Sequence, residues 1–131
     1  MISYRLGNQL DLTQVIDLYA ASTLGERRPI ADRPRMAAMV QHANLVITAW
    51  DGALLVGIAR SLTDFVYATY LSDLAVRASH QRQGIGKQLI RETQRAGGSQ
   101  TSIILLAAPK AVDYYGHIGF EQHPSAWVLR P

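Results

Sequence analysis

The sequence predicts a single mixed α/β (α+β) domain, and three observations predict it. NLVITAW and ALLVGIAR, residues 44–50 and 53–60, are β-rich runs separated by the turn dipeptide Asp51-Gly52, the pattern of a hairpin with a type I′ turn. A third such run, VYATYLSDLAV at 66–76, is followed by helical spacing and then by SIILLAA at 102–108, the order of a strand–helix–strand unit ending in a strand covered on both faces. The length of 131 residues suits one domain, which buries roughly two-thirds of its unfolded surface.

The elements follow in order. ISYR at 2–5 reads as a first strand. From Asp11, a candidate N-cap with Gln14 three residues on, Leu12, Val15, Ile16 and Tyr19 recur at helical spacing. LGERRPIADRP at 24–34 breaks that helix, and Asp32 caps a second one with Pro34 in its first turn and Met36, Met39 and Val40 on its apolar face. The hairpin comes next, and a turn near Thr63-Asp64 leads into the third run, so three successive strands should pair antiparallel. Ile85, Leu89 and Ala96 mark a helix ended by Gly97-Gly98. After SIILLAA, a short helix over 112–117 and two terminal strands, near 120–122 and 127–129, complete the sheet. The chain contains no repeat and no linker.

Composition narrows the function. With 48% hydrophobic and 18% charged residues the chain is globular, and it lacks the run of about 18 apolar residues that a membrane span needs. MISYRLG lacks the charged segment and long apolar core of a secretory leader, so a cytoplasmic protein is expected. Without cysteine there is no disulfide framework, thiolate metal site or cysteine nucleophile. Histidine spacing typical of a metal site is absent too, so no metal is expected.

Between Arg77 and Arg95 lie five basic residues, Arg77, Arg82, Lys87, Arg91 and Arg95, against Glu92 alone, an excess larger than the net +3 of the whole chain. Such a field suits an anionic partner, and a solvated helix face is the alternative. No aromatic residue lies in this span to stack on bases, which argues against nucleic acid. Gln81-Arg82-Gln83-Gly84-Ile85-Gly86 falls where the strand meets the helix. The first amides of a helix lack intrahelical partners and carry partial positive charge, and glycines let a phosphate approach them. On spacing alone, glycines that merely permit a tight turn explain the segment equally well. A Walker loop and the three-glycine dinucleotide fingerprint both fail, because no glycine stands five positions before Gly86 and position 89 is leucine.

LAVRASHQRQGIGKQLI, residues 74–90, resembles the acyl-CoA-binding motif of the GNAT superfamily of N-acyltransferases, and AVDYYGHIGF at 111–120 resembles that family's second motif. With the element order, the resemblance covers nearly the whole chain and implies the GNAT fold, with strands, helices and two last strands arranged as above. It implies acetyl-CoA as cosubstrate, its pyrophosphate on the backbone amides from about Gln83 to Lys87, flanked by Gln81 and Arg82, with Gly84, Ile85 and Gly86 between. The strand end Leu74, Ala75 and Val76 would bond the pantetheine arm and thioester through main chain. It also implies that Tyr115 protonates the departing CoA sulfur, while Tyr114 reads as a packing residue.

Asp73 sits where the family often has an acid, so it is the candidate base or ammonium holder, or else a polar residue on an exposed strand face. His80 and His117 read as solvated. The family's asparagine before the second motif is Ala108 here, a departure near the thioester. The implied function is acetyl transfer from acetyl-CoA to a primary amine by direct attack, on a small-molecule or peptide acceptor, with a homodimer left open. The alternative is a non-catalytic acyl-CoA sensor. Arg27, Arg28, Arg33 and Arg35, beside the expected acceptor pocket, either attract an anionic group on the acceptor or only solubilise the loop.

Overall fold

The computed structural model describes residues 1–131. Five strands, β1 (Ile2–Leu6), β2 (Leu45–Asp51), β3 (Leu54–Thr63), β4 (Ala68–Val76) and β5 (Ser102–Ile104), form one sheet in sequence order. The first four pair antiparallel, and β5 joins β4 in parallel after the α3 crossover (Ile85–Gly97). Helices α1 (Leu12–Ala20) and α2 (Arg33–His42) cover one face. Helix α3 covers the other, with α4 (Val112–His117) beside it.

Alternation along the strands builds two cores. Val46, Trp50, Leu55, Ile58 and Ala75 meet Val15, Leu18, Tyr19 and Met36 of the first two helices. Leu45, Ile47, Ala49, Val56, Ala59 and Leu71 meet Ile85, Leu89 and Ile90 of α3. Burial of β2 and β3 on both faces explains why their sequences are apolar almost throughout.

The helix caps form as expected: Asp11 accepts from the Thr13 and Gln14 amides, and Asp32 from that of Arg35. Gln14 does not close a capping box, because its side chain donates instead to the Ala53 carbonyl. The hairpin loop is shifted by one residue. Asp51 still pairs with Leu54, so Gly52 and Ala53 are the central residues, and only Gly52 has positive φ (60°), the pattern of type II′ rather than I′.

Two expectations about the second half of the chain are corrected. The strand expected over 102–108 stops at Ile104 and is an edge, with Ile104 and Leu106 about half exposed. A parallel edge strand has a partner on one side only, and apolar composition alone does not supply the second covering layer. The terminal strands near 120–122 and 127–129 do not form. No backbone hydrogen bond joins residues 121–131 to the rest of the chain, and Trp127 and Leu129 are 94% and 99% exposed. Apolar alternation there has no ladder partner to satisfy its amides and carbonyls.

Candidate active site

The segment that follows β4 is held from several sides. Arg77 N–H donates to the Val56 carbonyl at 2.8 Å and Ala78 N–H to Ala21 at 2.9 Å. The Gln81 side chain donates to the Val76 carbonyl at 3.0 Å, so this residue fastens the turn to the strand end. His80, expected to be solvated, bridges Ser79 and Asp51, with Nε2 2.9 Å from the carboxylate. That contact ties the β2–β3 turn to the segment and holds the exposed Asp51 carboxyl below the usual carboxylate range.

The chain then turns sharply. Arg82 has φ 64°, a strained value for a residue with a Cβ, and Gly84 caps α3 in the left-handed conformation (φ 80°, ψ 8°) with no side chain bonded to the helix end. From Arg82 to Lys87 no main-chain amide donates a hydrogen bond within the chain; the first to do so is Gln88, to Gly84. Six consecutive donors are therefore left unpaired at the positive end of a 13-residue helix. Gln83, Gly84 and Lys87 are exposed, whereas Ile85 is buried beneath the turn. Gly86 is flanked by α4, since a Cβ there would lie 3.4 Å from the Tyr114 hydroxyl and 3.8 Å from Val76. This donor set fits a diphosphate.

Beside the turn the sheet opens. β5 pairs with β4 only from Ala68 to Tyr70, so the β4 edge from Leu71 to Val76 has no strand neighbour on that side. Leu74 and Val76 pack partly against the α3 core, and Ala75 is buried on the opposite face. This open edge leads toward the glycine turn, where the Val76 carbonyl is taken by the Gln81 side chain.

Tyr115 packs edge-on to Phe120 and Tyr114, with ring centroids 5.4 and 5.3 Å apart. Burial, with Tyr114 beside it, pushes its phenol up, so it holds its proton at neutral pH. Tyr114, read from sequence as simple packing, is the tyrosine whose hydroxyl lies against the glycine turn, and burial raises its phenol as well.

Asp73 departs furthest from expectation. It lies on the face covered by α1 and α2, its side chain fully buried. One oxygen accepts from Arg28 Nε at 2.6 Å and Ser72 Oγ at 3.2 Å; the other accepts from Arg60 Nε at 2.6 Å and the Tyr19 hydroxyl at 2.7 Å. Burial works to raise its pKa, but the bonds and charge of Arg60, the Tyr19 bond and the Arg28 charge outweigh it and hold the carboxyl below the usual range. Four donors therefore occupy this enclosed carboxylate, and it is not on an exposed strand face.

Sequence reasoning missed the partners. Arg60 stands directly opposite Asp73 in the β3–β4 register, beside a bulge at Arg60/Ser61. The signal was available: within β3 and β4 these are the only two charged residues, of opposite sign, on adjacent strands. Tyr19 was counted as apolar face, although a buried phenol calls for a hydrogen-bond partner. No group of three or more His, Asp or Glu side chains is placed to hold a metal, and no helix is long and apolar enough to cross a membrane. A hollow of about 550 Å³ lined by Asn8, Leu10, Leu12, Ala37 and Val40 contains none of the residues of the glycine turn.

Comparison with known proteins agrees with this fold. A probable acetyltransferase of Glycine max is 28% identical over 94% of this chain and 53% of its own length. A GNAT-family acetyltransferase structure from Streptococcus pneumoniae superposes with a TM-score of 0.71 at 27% identity, covering 100% of both chains. An aminoglycoside N-acetyltransferase solved with CoA shares the fold, with a TM-score of 0.75 at 18% identity over 100% of this chain and 95% of that one. The chain spans 28%, 53% and 31% of the length of three curated relatives from Arabidopsis thaliana and Glycine max. The sequence model of the acetyltransferase (GNAT) domain matches residues 26–128, and by that match, on this fold and around this glycine turn, the chain belongs to the GNAT acetyltransferase family.

Proposed function

We propose that the chain is an acetyl-CoA-dependent N-acetyltransferase that acts on a primary amine, a small molecule or a peptide, by direct attack on the thioester. The observation that carries the reading is the run of six undonated amides from Arg82 to Lys87, opening beside a strand edge that has lost its neighbour. In this reading the amides receive the pyrophosphate, with charge added by Arg82 and Lys87. Main-chain groups of Leu74 to Val76 hold the pantetheine arm and thioester, and Tyr114 walls the cleft against Gly86.

The chemistry balances without a covalent enzyme intermediate. The neutral amine nitrogen forms a bond to the thioester carbonyl carbon, and the carbon–sulfur bond breaks. Tyr115 gives its proton to the departing thiolate and recovers one from solvent. The proton lost by the amine passes to water, since Asp73 is enclosed by its four donors.

The test joins binding to turnover. Acetyl-CoA at millimolar concentration should raise the melting temperature by mass action. Gly84→Glu should abolish that shift, because a side chain is strained at φ 80° and the new carboxylate would occupy the helix end itself. CoA release should follow on addition of an amine panel. Stabilisation by acetyl-CoA with no release from any amine would favour the acyl-CoA sensor instead.

A further inference from the structure

Resting on the acetyltransferase reading, we propose that the acceptor is an amine that also carries a carboxylate, and that Arg28 receives it. The cluster around Asp73 is unbalanced: two guanidiniums share one carboxylate, and Tyr19, its phenol raised by burial, stays neutral. The two arginines are not equivalent. Arg60 is 9% exposed and lies inside the sheet, donating to Asp73, the Met39 carbonyl and Ser72 Oγ. Arg28 comes from the loop after a 3-10 turn (Thr23–Arg27) and is 21% exposed, so the surplus positive charge reaches solvent through it.

Its guanidinium is held rigidly, by Asp73 through Nε, the Arg27 carbonyl through Nη1 at 2.8 Å and the Ser72 carbonyl through Nη2 at 2.8 Å. Of its five N–H groups three are engaged, leaving one on each Nη to donate. No acid other than Asp73 pairs with it, and the exposed Arg27 beside it has no acidic partner at all.

The location sets the substrate class. Arg28 is bonded to Ser72, two residues before Leu74 on the free edge of β4, a separation of about 7 Å along a strand. An acceptor whose amine reaches the thioester near Leu74 can therefore seat a carboxylate on Arg28 only if a chain of several carbons joins the two groups, as in ω-amino acids. A fixed guanidinium favours such anions and repels a substrate with positive charge at the same point.

Matched acceptor pairs test this in the wild-type chain: ω-amino acids of increasing chain length, each against the alkylamine without its carboxylate, followed by CoA release. The carboxylate member should lead by about tenfold or more in kcat/KM. Arg28→Gln should shrink the lead to about twofold or less, with KM for acetyl-CoA retained, and Arg28→Lys should keep part of it. Equal or better turnover of the neutral members by the wild type overturns the proposal while leaving acetyl transfer intact, and so does a folded Arg28→Gln that keeps the preference. Release from no member of any pair, with release from other amines, also overturns this inference and leaves acetyl transfer intact, whereas release from no amine at all counts against both.

Discussion

Replacing Asp73 by asparagine should cost about 3–5 kcal/mol of folding stability, the penalty for leaving buried charges without their partner. Arg60 and Arg28 would both lose the carboxylate that compensates them, and the Tyr19 hydroxyl its acceptor. The loss is large against a total stability of about 5–15 kcal/mol for a domain. Tyr19→Phe, which removes one donor to the carboxylate and leaves both ion pairs, should cost less, about 1.5–3 kcal/mol. Denaturant unfolding of the three proteins checks the ranking.

The pH dependence has a definite sign. Because the folded pKa of Asp73 is depressed, its contribution is present above the unfolded value of about 4 and is lost as pH falls through the folded value. Wild type and Asp73→Asn should therefore differ most near neutrality and converge in acid. Equal stability at pH 7 would show that the cluster does not hold the α1, loop and strand junction together.

Tyr115→Phe should lower kcat by about 100-fold or more, the range for loss of a positioned proton donor. The substitution removes a single oxygen, and burial together with the neighbouring Tyr114, not a hydrogen bond, accounts for its raised phenol, so folding should be little affected. Acetyl-CoA affinity should persist, since binding depends on main-chain amides elsewhere. Tyr114→Phe is the control: its hydroxyl lies against Gly86, so its loss should act on KM for acetyl-CoA more than on kcat. If the larger loss of kcat fell on Tyr114, the proton donor would be that residue and the second motif would be read one position out.

Much of the fold was legible because local chemistry decided it. Asp11 and Asp32 announced helix starts, Asp51-Gly52 a hairpin, and the short helix falls at Val112–His117 as the spacing indicated. The glycine turn was legible as a strand-to-helix junction, but only its backbone showed that six amides in a row go unused. What escaped depended on partners distant in sequence. Asp73 meets Tyr19, Arg28 and Arg60 through a bulge and a loop, and no spacing rule brings 54, 45 and 13 residues of separation to one carboxylate. The end of the chain failed for a related reason: Trp127 and Leu129 alternate like strand residues, yet a strand exists only where another offers its edge.

Main-chain recognition of a diphosphate at the start of α3 is tested most directly by amide-resolved NMR titration with acetyl-CoA. The amides of Arg82 to Lys87 should show the largest shifts and those of Leu74 to Val76 should follow, with the same pattern from CoA. Saturation that leaves these amides unmoved while others shift, or no change at millimolar ligand, would contradict it.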